Sequence, residues 1–251
     1  LMVEEFKNNK YEKPFFNYDM EISRTGWYSS FLLPMLKVKV EECRVAGRNP
    51  DYEEDARNNF RKLNYHFNIL ASETGVRPGT WITKLNYENF NETISIQAKS
   101  YVDSLATFIR VRNKTVQDRK DSLVKAIVAK MGEPQFQKLR EADYNETLAD
   151  IVLNRFGTIK IYETDKKLIQ KADPVLMRPG SRYGRAHFYA PFKMLGNTVV
   201  DTLLFNTGAI WLMTIVLFVT LYLDVLKRFI YFLESLRIPI WRKFGRELLP
   251  V

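Results

Sequence analysis

From Gly208 to Leu223 the chain carries no charged residue, and residues 209–223 read Ala-Ile-Trp-Leu-Met-Thr-Ile-Val-Leu-Phe-Val-Thr-Leu-Tyr-Leu. Nothing in that run is costly to place in lipid: Thr214 and Thr220 can return their hydroxyls to backbone carbonyls of the preceding turn. Extended to residues 205–226, the stretch holds 22 residues. As a helix it measures about 33 Å, which matches a hydrocarbon core of roughly 30 Å. Apolar character on every side of so long a helix points to a membrane span rather than to a core helix, which needs only one apolar stripe. Trp211 and Tyr222 lie towards opposite ends, where interfacial aromatics sit.

The preceding residues show amphipathic patterns. Asn49-Pro50-Asp51 reads as a helix start, with Glu53, Glu54 and Asp55 favouring the positive end of the dipole. Tyr52, Ala56, Phe60, Leu63, Phe67 and Leu70 then recur in steps of four and three, one buried helical stripe that Gly75, Pro78 and Gly79 bring to an end. His66 falls off this stripe and is expected at the surface. A second helical stretch covers residues 89–131: Phe90, Ile94, Ala98, Tyr101, Leu105, Phe108 and Ile109 share a face, followed by Val116, Leu123, Val124, Ile127 and Met131. Between Arg110 and Asp121 the stripe thins into charges, so the helix there either projects into solvent or turns back on itself. Gly132 and Pro134 close the element, and a further helical piece runs to about Phe156 with a break near Asn145. Residues 158–163 alternate enough for one short strand, and residues 173–191, rich in Pro, Gly, Arg and aromatics, read as an ordered loop.

The expected fold class is therefore mainly α: an extracytoplasmic domain of long amphipathic helices, packed as an antiparallel hairpin or small bundle, followed by one C-terminal transmembrane helix. The expected organisation is residues 1–18 as an opening segment, 19–190 as the helical domain, 191–204 as the approach to the membrane, 205–226 as the span and 227–251 as a basic tail. The tail from residue 229 onward mixes aromatic and basic residues, and reads equally as a surface-lying or a solvated short helix. The apolar opening Leu1-Met2-Val3 suggests a piece of something longer, and residues 1–30 lack the basic start and uninterrupted apolar run of a signal peptide.

Net charge is +9, but Lys and Arg alternate with Asp and Glu instead of forming one basic stripe, so no nucleic-acid partner is expected. Charge placement does bear on orientation. Residues 185–204 hold two basic residues, Arg185 and Lys193; residues 227–251 hold six, Lys227, Arg228, Arg237, Arg242, Lys243 and Arg246. The tail is accordingly expected in the cytoplasm and the helical domain outside it.

One cysteine, Cys43, excludes an internal disulfide, and His66 and His187, the only histidines, have no partner at metal-ligand spacing. The chain has no phosphate loop, no Gly-x-Ser-x-Gly elbow and no His-Glu-x-x-His. No catalytic, cofactor or metal residue is assigned. Asn91-Glu-Thr, Asn113-Lys-Thr and Asn145-Glu-Thr fit the glycosylation acceptor pattern, at a frequency ordinary for a chain this rich in Asn.

Two segments carry a family resemblance. Leu1-Met2-Val3-Glu4-Glu5-Phe6-Lys7-Asn8-Asn9 resembles the "ALxVxxF" stretch after the fifth membrane helix of ABCG (White-type) transporters, where a large external loop begins. Ala186-His187-Phe188-Tyr189-Ala190-Pro191, with Phe205-Asn206 and Trp211-Leu212-Met213 beyond, resembles the end of such transporters in Bacteroidetes. The resemblance implies the last external loop and final membrane helix of an ATP-driven exporter of a bacterial inner membrane, with residues 1–18 following an upstream membrane helix and the loop domain in the periplasm. Its ATP, Mg and nucleotide-binding domain would belong upstream, and a homodimer or half-transporter pairing would complete it. Within that reading the Gly208, Thr214 and Thr220 side suits packing against a neighbouring helix, and Phe205, Trp211 and Phe218 are the candidates for substrate contact. The other reading, from a different class, is a single-pass anchored protein whose external domain senses or scaffolds a component of the cell envelope.

Overall fold

The computed structural model describes residues 1–47 and 49–235. They form two units, residues 1–199 and a second beginning at Val200. The first unit is mainly helical. Helices α1 (Met2–Asn8) and α2 (Phe16–Trp27) lead through a single π turn, Tyr28–Leu32, into α3 (Leu33–Ala46). Pro34 lies in the first turn of α3, where the missing N–H costs no helical hydrogen bond. A 3-10 turn at Pro50–Tyr52 precedes α4 (Glu53–Thr74); Asn49 Oδ1 accepts the Asp51 N–H at 3.1 Å. Gly75, left-handed with φ +76°, ends α4, a conformation that suits glycine.

Helix α5 (Glu92–Met131) is continuous over 40 residues, about 60 Å at 1.5 Å each. It neither projects from the domain nor doubles back at its charged stretch. It runs antiparallel along both α2 and α3, and five of its charged residues pair with those neighbours. Arg44 faces Glu92, Lys99 faces Glu41, Lys37 faces Asp103, Arg112 faces Glu21 and Lys120 faces Asp19, while Asn113 Nδ2 donates to Thr25 Oγ1 at 2.6 Å. In its polar middle one side of α5 meets α2 through Arg112, Asn113 and Lys120, while Arg110, Lys114, Asp118, Arg119 and Asp121 are exposed.

Three periodic stripes fill the main core. Leu33, Leu36, Val40 and Cys43 come from α3; Ala56, Phe60, Leu63, Phe67 and Leu70 from α4; Ile94, Ala98, Val102, Leu105 and Ile109 from α5. Phe67 is fully enclosed and makes edge-to-face contacts with Trp81 and Tyr101 at 5.9 and 5.3 Å. Helix α5 ends at Gly132, φ +85°, and α6 (Glu133–Asp143) and α7 (Glu146–Val152) follow, with the break at Tyr144 and Asn145. Two of the three glycosylation-pattern asparagines are helix caps: Asn91 Oδ1 accepts the Ile94 N–H at 3.0 Å and Asn145 Oδ1 the Leu148 N–H at 2.9 Å. The third, Asn113, is held in the interface between α2 and α5.

The expected strand is β1 (Ile161–Glu163), and it pairs antiparallel with β2 (Leu168–Gln170), Tyr162 opposite Ile169. This hairpin corrects the placement of His66. The imidazole is 6% exposed, and its Nε2 accepts the Leu168 N–H at 2.9 Å. Helix α4 has a second buried face, made of Asn59, Lys62 and His66, which the hairpin covers.

A smaller cluster joins Phe6 of α1, Phe16 and Met20 of α2, Leu148, Ala149 and Val152 of α7, and Val175, with Val3, Tyr189 and Phe192 packed against it. Lys7 Nζ donates to the Pro191 carbonyl at 3.3 Å. A second hairpin, β3 (Phe192–Leu195) with β4 (Thr198–Asp201), follows the loop of residues 173–191.

In the second unit Asp201 caps α8 (Thr202–Tyr222), its Oδ1 accepting the Leu203 N–H at 3.0 Å. The helix begins and ends a few residues earlier than residues 205–226, because the Asp201 cap fixes its start and Asp224, with φ +49°, breaks the chain before α9 (Val225–Ser235). Among the described residues α8 is the one helix long and apolar enough to cross a membrane, and none of its residues is buried. The part of the tail beyond Ser235, with Arg237, Arg242, Lys243 and Arg246, lies outside the described residues.

Candidate functional site

All five residues singled out in the span lie on α8. At about 100° per residue, Gly208, Trp211, Thr214 and Phe218 fall within about 120° of one face, and Phe205 lies about 60° beyond its edge. Trp211 and Phe218 are exposed, no atom lies within 4 Å of the position a Cβ on Gly208 would take, and Phe218 stacks on Tyr222 one turn later. Thr214 Oγ1 donates to the Ile210 carbonyl at 2.9 Å and Thr220 Oγ1 to that of Val216 at 2.7 Å, so neither hydroxyl is left unsatisfied in lipid. The face combines one small residue with two large aromatics, a surface able to receive a neighbouring helix or an apolar molecule.

The helical domain holds polar arrangements that periodicity alone does not reveal. Beside a 780 Å³ cleft, Lys39 of α3 and Lys62 of α4, both almost wholly buried, converge on one atom, Glu163 Oε1, at 2.9 and 2.5 Å. Glu42 Oε2 accepts from Lys39 Nζ and from Asn59 Nδ2, each at 2.9 Å. Burial would raise the Glu163 carboxyl, but the hydrogen bonds from Lys62 and Lys39 outweigh it and hold it below its ordinary value. For Lys39, burial would lower the ammonium, and the bonds to Glu163 and Glu42 raise it instead. Two cations and two carboxylates close a neutral network that ties β1 to the α3–α4 pair. Cys43, nearby, is pushed up to about 12, first by burial and then by Glu42, which leaves a neutral thiol of low reactivity.

A 370 Å³ cavity is lined by Glu12, Asp19, Lys120, Tyr144 and Arg155. Glu12 is 7% exposed, and burial, followed by the charge of neighbouring Asp19, raises its carboxyl to about 7 while Lys120 pulls the other way. No sequence motif marks this cavity: its residues come from the segment before α2, from α2 itself, from α5 and from around α7.

Both histidines are engaged by the main chain. His187 Nε2 lies 2.6 Å from the Pro174 carbonyl; burial lowers its ring below the ordinary value, with that hydrogen bond opposing. His66 is pushed down to about 4 by burial and then by the Lys167 charge, so at neutral pH it is the uncharged acceptor that the Leu168 N–H requires. An unfolded imidazole binds its proton near 6.5. Between pH 6.5 and about 4 the unfolded chain therefore holds a proton that the folded chain refuses. The stabilisation is complete above pH 6.5 and falls by about 3 kcal/mol as the pH drops to 4. Glu12 acts in the opposite sense, losing its contribution as pH rises from 4.5 towards 7. Comparing thermal unfolding of His66→Gln with that of the native chain isolates the histidine: the variant, which keeps an acceptor, is expected to lose less stability below pH 6.5. Parallel curves for the two proteins would contradict this assignment.

Among the described residues no group of three or more His, Cys, Asp or Glu side chains is placed to hold a metal. Neither the family models, nor the curated proteins, nor the solved structures compared with the chain match it.

Proposed function

We propose that this chain is the external domain and the last membrane helix of an ATP-driven exporter of the ABCG type. The observation that carries the reading is the meeting of α1 with the segment leading to the membrane helix: Val3 and Phe6 share one cluster with Tyr189 and Phe192, and Lys7 binds the Pro191 carbonyl. A domain whose polypeptide enters and leaves at one place fits between consecutive membrane helices, whose axes pack about 8–10 Å apart. A single-pass anchored sensor needs only the exit. The two segments that meet are also the two that carry the family resemblance.

In this reading the domain lies outside the cytoplasm, α8 runs inward, and the basic tail stays inside. The Gly208, Trp211, Thr214 and Phe218 face turns towards neighbouring helices or the transport path, with Phe205 at its edge. ATP and Mg bind upstream domains, and a second copy or a half-transporter partner completes the pore.

The test is ATP hydrolysis by the purified full-length protein in vesicles, together with sequencing upstream of Leu1. The reading expects a phosphate loop, five preceding hydrophobic helices and ATP turnover that stops when the phosphate-loop lysine is replaced. A parent protein with only a cleavable leader before Leu1, and no hydrolysis, would make the domain an anchored sensor or scaffold instead.

A further inference from the structure

The loop of residues 178–188 combines features that the exporter reading does not use. It presents three exposed arginines, Arg178, Arg182 and Arg185, and two of the most exposed aromatics in the chain, Tyr183 at 89% and Phe188 at 87%. Among the described residues none of the three guanidinium groups has an ion-pair partner. Glu21 and Glu73, the carboxylates that line a groove together with Arg178 and Arg182, are already taken by Arg112 and Arg24.

The loop is nevertheless firmly seated. The Gly184 N–H donates to Met194 O at 2.8 Å, the Gly196 N–H donates to Arg182 O at 2.7 Å, and His187 binds the Pro174 carbonyl. Pro179 and Ala190 are buried beneath it. A held loop that displays unpaired cations and bare aromatic rings to water fits a surface that is anionic above and apolar below. Such a surface is offered by lipid headgroups, where arginine binds phosphate and tyrosine and phenylalanine sit at the edge of the acyl region.

Chain length brings that surface within reach. Tyr183 is bridged to Leu195, and Asp201, the cap of α8, lies only six positions beyond Leu195. Six extended residues span at most about 20 Å.

We propose that residues 178–188 form a lipid-contacting surface that grips anionic headgroups of the outer leaflet, with the three arginines on the phosphates and Tyr183 and Phe188 entering the interface. The proposal rests on the reading of α8 as a membrane span. Its test therefore measures both places in one preparation.

Spin labels are placed singly at Phe188→Cys and at Val216→Cys of the full-length protein, in vesicles of phosphatidylcholine with or without phosphatidylglycerol. Oxygen and water-soluble nickel accessibility then report immersion. The Val216 site is expected to be immersed in both lipids. The Phe188 site is expected to be immersed only with phosphatidylglycerol, and to return to water when Arg178, Arg182 and Arg185 are replaced by Gln. Each arginine lost should weaken that partition about fivefold.

An immersed Val216 with an aqueous Phe188 in both lipids overturns the lipid surface while leaving the anchor intact. So does a Phe188 site that becomes covered only when other envelope proteins are present. An aqueous Val216 overturns the anchor itself.

Discussion

Arginine at both Met213 and Val216 is expected to keep the C-terminal tail on the outer side of the membrane. The two residues are near the middle of α8 and exposed, and no residue of that helix is buried. Each arginine at mid-span costs about 2.5–3.5 kcal/mol of insertion free energy, so two together oppose entry by roughly 5–7 kcal/mol. That is a shift of several thousandfold to about a hundred-thousandfold, large enough to hold the helix out even when neighbouring spans insert normally. A reporter fused after Val251 that is active only in the cytoplasm should lose its signal. Leucine at the same two positions should leave the signal unchanged, which separates the charge from the substitution. Full activity of the arginine variant would mean that α8 is not in contact with lipid at its centre.

The second large effect is expected inside the helical domain. Phe67 is fully buried where α4 meets α5, with Trp81 and Tyr101 against its ring edges. Phe67→Ala removes the apolar contacts and leaves a cavity that the three stiff helices cannot close, at a cost of about 3–5 kcal/mol. For a unit of this size that corresponds to a fall in Tm of roughly 6–20 °C. Calorimetry of the detergent-solubilised protein measures it. Tyr65→Ala on the same helix, at an exposed position, is the matched control and should change Tm by no more than a few degrees.

What the sequence revealed follows from which physical signals are periodic. The membrane helix is legible because an all-apolar run of this length has few other uses. Helices α4 and α5 are legible because each carries a stripe in steps of three and four. Gly132 and Asn145 mark real breaks, since one adopts a positive φ and the other caps a helix.

The first 46 residues, by contrast, conceal α1, α2 and α3. A π turn joins α2 to α3 with Pro34 just after it, and its extra residue shifts the period of any stripe that crosses it. Without α2, the charges of α5 between Arg110 and Asp121 have no visible partner, and so a projection or reversal seemed the only outcomes. The polar face of α4 escaped for a related reason: Asn59, Lys62 and His66 are buried through hydrogen bonds and ion pairs, and such burial leaves no hydrophobic trace. The β3–β4 hairpin did have a local signal, the Gly196-Asn197 turn between two short apolar runs, with Gly196 at φ +61°.

Site residues divide in the same way. Phe205, Gly208, Trp211, Thr214 and Phe218 could be singled out because they lie on one legible helix, whose spacing puts the last four on one face with Phe205 beyond its edge. The cavity around Glu12 and the lysine pair on Glu163 unite residues about 100 or more positions apart, which no single-sequence pattern brings together.

The central claim is a partition: residues 1–199 on one side of the membrane, α8 across it and the basic tail on the other. Membrane-impermeant maleimide labelling of two single variants of the full-length protein tests it most directly, Lys125→Cys on exposed α5 and Lys227→Cys just after the span. The native thiol at Cys43 is buried and neutral, so it contributes little background. Intact cells should label the first site and spare the second until the inner membrane is permeabilised. Labelling of both sites in intact cells, or of neither, would place the domain and the tail on one side and contradict the account.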